Sequence, residues 1–385
     1  MCLTALLYSE NYFEYCPEQH PYWNLTRFKV VFELVRSLGW LEENLPSLLV
    51  HEPKPASHEQ LLMFHHPLYI SKLQELSEDG YGNEPDFGLG FGDNPIFKGV
   101  HEASSLIAGG SIGLVDLVDG GKAEHGFAFL GGLHHAHPAK ASGFCYYNDA
   151  VLAIKHMREL GYERILYIDT DAHHGDGTQE AFYSDPNVLT ISIHEDGRFL
   201  FPGSGFVFET GAEEGEGYSI NIPLPPYTTD EIWLQAFEAI VPPVWKAFNP
   251  DFIYWQCGAD SHFRDPLTQL QLTNNLYKKV AGLIHQLTHE TTGGRIVIGG
   301  GGGYDPVQTA KAWTIVLAEF AELNIPETVP TEWIDYCNSQ WGIEAEDTFL
   351  NPRVELDEEI LIKFGRYIET LVEEIKKEIF PVHGL

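Results

Sequence analysis

Five strand-length apolar runs, each closed by a cluster of polar or glycine residues, constrain this chain more than any other feature. They are Phe127–Leu130, Ile165–Ile168, Val188–Ile193, Phe252–Gln256 and Ile296–Ile298. They are short, rich in Ile and Val as a set, and nearly continuous rather than alternating. Strands read this way when both faces of a parallel sheet are covered. Leu3–Tyr8 reads as a first buried strand. Helical stretches separate the runs or follow them: Glu102–Val118, Asp149–Leu160, Asp230–Phe248, Asn274–His289, Val307–Leu323 and Asp357–Ile379. The alternation predicts an α/β fold, a doubly wound and mostly parallel sheet flanked by helices. The chain's 385 residues fit one large α/β domain or two ordinary ones. The glycine-rich stretches Asp79–Pro95 and Asp196–Gly217 are neither long nor polar enough for a clear linker, and no repeat or composition break appears. A single domain over residues 1–385 is therefore expected.

Ligands of parallel α/β sheets bind outside the carboxyl ends of the strands. In chain order, the five runs are followed by LHHA, DTDAHHGDG, HED, GADSH and GGGGGY. Asp171 and His173 stand two apart, so extended backbone turns both to one side. Asp260, at another strand end, supplies a third donor. Two carboxylates and one imidazole make a hard-to-borderline O/N set that suits Zn²⁺ or Fe²⁺ and leaves a position open for water. His134 and His135 are an adjacent pair, and Asp169 and Asp176 flank the metal pair. A carboxylate holding one imidazole nitrogen fixes the tautomer and raises basicity, so two His–Asp dyads suit a general base and a general acid. Gly299–Gly303 lacks the Lys-Ser/Thr of a phosphate-binding loop. It is either a packing turn beside a core tyrosine or a tight turn presenting the Tyr304 hydroxyl. Phe144 and Phe201 are core aromatics or the walls of a narrow apolar channel. His194 follows a strand and could be a further ligand, but is read as a residue supporting the ligands from behind or as structural, because three ligands already suffice. His101, His156, His285 and His289 lie in expected helices without partners and are read as packing or surface residues.

Composition narrows the partners. The net charge of −33 excludes a phosphate-tracking nucleic-acid surface and disfavours anionic membranes. It suits a cationic partner or a high-salt cytoplasm. No apolar stretch is long enough to span a membrane, and the first residues lack the basic region of a signal peptide. The five cysteines, Cys2, Cys16, Cys145, Cys257 and Cys337, form no CxxC pair and are odd in number. A reducing compartment fits, and a disulfide framework does not.

The clusters resemble the histone deacetylase superfamily, of the arginase/deacetylase fold. The resemblance rests on LHHA (133–136), GFCYYND (143–149), YIDTDAHHGDGTQEAFY (167–183), FPGSG (201–205), GAD (258–260) and GGGGY (300–304), with DNPIFKG (93–99) and HPYWNLTR (20–27) beside them. It runs from about residue 5 to about residue 320, and its order and spacing are specific. GFCYYND and HHGDG are similar to the class I branch and its bacterial acetoin-utilisation-type relatives.

The resemblance implies zinc held by Asp171, His173 and Asp260. It implies His135 as general base and later acid, His134 as its electrostatic partner, Asp169 and Asp176 as their orienting carboxylates, and Tyr304 as the hydroxyl that polarises the acyl carbonyl. It implies Asp93 as a rim residue holding the substrate backbone, Phe144 and Phe201 as tunnel walls, and Gly143 as a floor that tolerates no side chain. Leu267 matches a rim position where polyamine-selective relatives carry Glu. Potassium, bound partly through Asp169 and Ser192, and an inner cavity lined by Arg27 complete the set. The expected activity is hydrolysis of N-ε-acetyl-lysine in an acetylated protein or peptide by a bacterial-type cytoplasmic enzyme. The alternatives are an acetylpolyamine deacetylase, a ureohydrolase of the same fold, whose two-metal pattern is not found here, and a non-catalytic binder of acylated proteins.

Overall fold

A computed structural model describes residues 2–13, 25–41, 45–90, 92–354 and 357–385. Cys16 and residues 20–24 of the HPYWNLTR segment lie outside them. The described strands are β1 (Thr4–Leu7), β2 (Leu48–His51), β3 (His125–Ala128), β4 (Ile165–Asp169), β5 (Val188–Glu195), β6 (Ser219–Leu224), β7 (Phe252–Gln256) and β8 (Ile296–Gly299). The helices are α1 (Leu25–Ser37), α2 (His58–Leu61), α3 (Pro67–Asp79), α4 (Val100–Asp119), α5 (Asp149–Glu159), α6 (Asp176–Phe182), α7 (Asp230–Phe248), α8 (Asn274–Thr292), α9 (Pro306–Phe320), α10 (Thr331–Trp341) and α11 (Glu358–Ile379).

The strands form one sheet in the order β2-β1-β3-β8-β7-β4-β5-β6. Every described pairing is parallel, so the sheet is parallel throughout rather than mostly. Alternate strand residues feed two cores. Leu6, Phe127, Ile168, Ile191, Trp255 and Ile298 join the core packed under α1 and α7 to α11. Ala5, Ala128, Tyr167, Tyr254 and Val297 join the core under α4, α5 and α6. The period of two thus points apolar side chains both ways, which is why the strand sequences look continuous.

The expected strands and helices are present, with shifts. The Phe127–Leu130 run pairs as His125–Ala128, and Phe129 and Leu130 continue past the sheet as buried apolar chain. His194 lies inside β5, not after it. The four central strands, β3, β8, β7 and β4, are neighbours. With strands about 4.8 Å apart, the loops leaving their carboxyl ends converge on one small region.

Candidate active site

Those four loops carry the histidine pair, the Asp-x-His motif, Asp260 and Tyr304. The loop after β3 is fixed by the start of α5: the Asp149 carboxylate accepts from the backbone N–H of Gly132 at 3.0 Å and of Leu133 at 2.7 Å. Asn148, which caps α5, donates to the carbonyls of His134 and Ala136. The ND of GFCYYND therefore holds the histidine loop in place.

His134 and His135 each meet one acid. His134 Nδ1 lies 2.8 Å from Asp169 Oδ2, and His135 Nδ1 lies 2.7 Å from Asp176 Oδ1. Their Nε2 atoms are 3.0 Å apart. The two rings take opposite charge states. Burial opposes the charged form of His134, but Asp169 and Asp171 outweigh it and carry its pKa up to about 9. Burial and the adjoining His134 cation push His135 down to about 4. At neutral pH His134 is the cation and His135 the neutral imidazole.

Asp171, His173 and Asp260 come together as a buried group whose ligand atoms all lie within 4.8 Å of one another. His173 Nδ1 is 3.0 Å from Asp171 Oδ1 and 2.9 Å from Asp260 Oδ2. The other carboxylate oxygens are occupied. Asp171 Oδ2 accepts from Gln256 Nε2 at 2.7 Å and from Gly302 N–H at 2.8 Å, and Asp260 Oδ1 accepts from Ala172 N–H at 2.8 Å. Two carboxylates buried this close repel, and Asp260 is pushed up to about 6 by burial and by Asp171. A divalent cation is what such a set of one imidazole and two anions fits. His174, the second histidine of the motif, turns away to Ser204 Oγ at 2.8 Å and Gln179 Oε1 at 3.1 Å.

A cavity of about 480 Å³ opens onto this group. All five expected substrate-contact residues line it: Asp93, Gly143, Phe144, Phe201 and Leu267, together with His135, His173 and Tyr304. Asp93 is exposed at the mouth. A Cβ on Gly143 would stand 2.5 Å from His135 Cδ2 and 2.9 Å from Phe201 Cε1, at φ +48°, so only glycine fits this floor. Phe144 holds φ +67°, a conformation uncommon for a bulky residue, with its ring edge-on to Tyr304 at 5.7 Å. Burial and Asp260 push the Tyr304 phenol well above its usual range, so it stays a hydroxyl donor. Behind the site, Arg27 donates to the carbonyls of Gly303 at 2.8 Å and Gly301 at 2.7 Å and lines a small inner cavity.

Asp169 and Ser192 are register partners across β4 and β5, while Ser192 Oγ bonds His194 Nδ1 at 2.8 Å. His194 Nε2 is bonded to the Gly205 carbonyl at 2.9 Å, so both its nitrogens are engaged away from the metal group. The helical histidines differ from the sequence expectation in that each has partners. His101 meets Tyr147 and Gln74, His156 meets Asp116, and His285 and His289 meet one another.

Two functional neighbours escaped the sequence reading. Gln256, the last residue of β7, clamps Asp171, and its only signal is a polar residue ending an otherwise apolar strand. Asp265 is buried, its pKa pushed up to about 8 by burial and Asp260. It accepts from the backbone N–H groups of Tyr304 and Leu267, at 2.8 and 2.9 Å, and so sets the position of both.

This fold has solved counterparts. The crystal structure of an HDAC homologue from Aquifex aeolicus superposes with a TM-score of 0.83 at 30% identity, over 97% of this chain and all of that one. An HDAC homologue complexed with SAHA gives the same score at 29% identity. The architecture is thus the arginase/deacetylase fold, and the protein class is that of the amide-cleaving hydrolases it hosts. Residues 20–320 match the histone deacetylase domain. The chain belongs to the histone deacetylase family. It is 39% identical to the acetoin utilization protein AcuC of Bacillus subtilis across 91% of this chain and 90% of that protein. With AcuC of Staphylococcus aureus the identity is 40% across 86% and 85%. This places it with the acetoin-utilisation type.

Proposed function

We propose that this chain is a zinc-dependent deacetylase of N-ε-acetyl-lysine in proteins or peptides, built as one catalytic domain over residues 1–385 and working in the cytoplasm. The observation that carries the reading is the meeting of Asp171, His173 and Asp260 with a neutral His135 and Tyr304 at the inner end of one apolar-walled cavity. Zinc held by those three residues, or Fe²⁺ on the same donors, supplies a Lewis acid that polarises the amide carbonyl and acidifies water.

The chain's own groups do the rest. Phe144 and Phe201 flank the extended acyl-lysine stem, and Asp93 at the mouth accepts from the substrate backbone. His135, with Nδ1–H held by Asp176, takes the proton of the attacking water. The fixed His134 cation beside it makes the resulting His135 imidazolium a strong acid, which returns the proton to the lysine amine as the C–N bond breaks. Tyr304 keeps its proton and donates a hydrogen bond from its hydroxyl to the oxyanion that forms on the acyl carbon. Acetate and a free lysine side chain result. Potassium bound near Asp169 and Ser192 would steady the strand end that carries Asp169.

The acidic surface favours a second reading, hydrolysis of acetylated polyamines, and the apolar Leu267 at the cavity opposes it. Acetate release from an acetyl-lysine peptide and from acetylspermidine, compared under identical conditions, separates the two. The proposal expects the larger kcat/KM for the peptide. A larger value for the polyamine overturns it.

A further inference from the structure

At the opposite end of the same strands stands a second cluster of metal-binding side chains. Cys2 precedes β1, His125 opens β3 beside it, and His285 and His289 lie one turn apart on α8. One ligand atom from each lies within 4.8 Å of the others. Cys2 Sγ is 3.4 Å from His289 Nε2, which is 3.1 Å from His285 Nε2. The His125 ring centroid is 5.1 Å from both of the other imidazoles.

The hydrogen bonding of His125 leaves a lone pair facing the cluster. His125 is fully buried. Its Nδ1 is 2.7 Å from the Gly294 carbonyl, which can only accept, so Nδ1 carries the proton. Nε2 is then a bare lone pair, and it has no hydrogen-bond partner among the described residues. A buried polar atom left so is costly unless something occupies it. His285 repeats the pattern more loosely, with Nδ1 3.5 Å from Glu319 Oε1 and Nε2 turned to His289. A carbonyl or carboxylate behind one ring nitrogen, with the other aimed at a common point, is how proteins orient metal-binding histidines. Two histidines four apart on one helix face are a metal-binding spacing. Glu322 Oε1 lies 3.7 Å from Cys2 Sγ, adding negative charge that favours a cation over a lone thiolate. Phe320 packs against His125 and His285 at 5.2 and 4.7 Å and closes one side.

We propose that Cys2, His125, His285 and His289 form a second, structural zinc site that ties the amino-terminal segment, β3 and α8 together at the amino end of the sheet. One sulfur and three imidazole nitrogens suit a tetrahedral site with all four positions filled by the protein. Binding exchanges the Cys2 thiol proton for the metal and releases it to solvent, and no electron transfer is involved. The site is independent of the deacetylase reading, because the donor group at the carboxyl end contains no sulfur.

That difference supplies the test. The full chain is stripped with chelator, loaded with cobalt(II), and its near-ultraviolet absorbance recorded. The proposal expects a thiolate-to-cobalt charge-transfer band that persists in Asp260→Asn and disappears in Cys2→Ser. It also expects His285→Ala/His289→Ala to hold one equivalent of zinc fewer than wild type, with acetyl-lysine hydrolysis unchanged. Absence of the band in the wild-type chain, which needs no variant to fold, overturns the proposal. So does a band undiminished in Cys2→Ser.

Discussion

The two ends of the central strands carry opposite donor chemistry. At the carboxyl end, two carboxylates meet one imidazole, and that imidazole lines a cavity of about 480 Å³. At the amino end, one thiol and three imidazoles face each other against Phe320. The first set opens onto space for a reactant, lined by the groups to which the proposed mechanism gives the proton transfers. The second brings four donors to one point, enough to fill a tetrahedral coordination shell. Metal-binding residue types alone therefore do not mark an active site. What marks it is the cavity, the His–Asp dyads and the tyrosine hydroxyl converging on the same point.

Perturbations should separate the two ends sharply. His135→Ala removes the base and should lower kcat by about 100- to 10,000-fold with catalytic-site metal retained, measured by acetate release beside elemental analysis. Tyr304→Phe should cost about 100- to 1,000-fold in kcat and leave metal content unchanged. Gly143→Ala drives a methyl group into His135 and Phe201 and should lower kcat/KM by about 100-fold. Gln256→Leu frees one oxygen of Asp171 and should weaken zinc affinity by about 10- to 100-fold, read by competition with a chelating dye. A loss of activity in Cys2→Ser as large as that in Tyr304→Phe would erase the distinction between the ends.

The pH profile sharpens the comparison further. As the proposed base, His135 must be neutral, so kcat/KM should fall as pH drops toward its value of about 4. As its proposed electrostatic partner, His134 must be charged, so kcat/KM should also fall as pH rises through about 9. The profile of kcat/KM should therefore be a bell, and His134→Asn should remove the alkaline limb.

Much of this was legible in the sequence, for local reasons. The β4 strand and its DTDAHHGDG tail are contiguous, so Asp169, Asp171, His173 and Asp176 meet within one local segment, but β4 ends at Asp169 and bends beyond it, not the expected extended backbone, place Asp171 and His173. Two edge strands were not legible. β2 is only Leu48–His51, and β6 contains Asn221 and Pro223, which break the apolar pattern. Pro is tolerated there because β6 ends the sheet order and has one paired side. Gln256 and Asp265 were missed because their roles depend on which loops meet them. The amino-end cluster was missed for the same reason: Cys2 and His289 are 287 residues apart and meet only when β1 pairs with β3 and the histidines near the end of α8 reach Cys2 and His125.

The most direct measurement is acetate release from an acetyl-lysine peptide by zinc-loaded wild-type chain, by the same chain after chelation, and by Asp260→Asn. The proposed chemistry predicts release from the first alone, restored to the chelated chain by added zinc. Equal release from all three would contradict it, because hydrolysis would then proceed without the Asp171, His173 and Asp260 site.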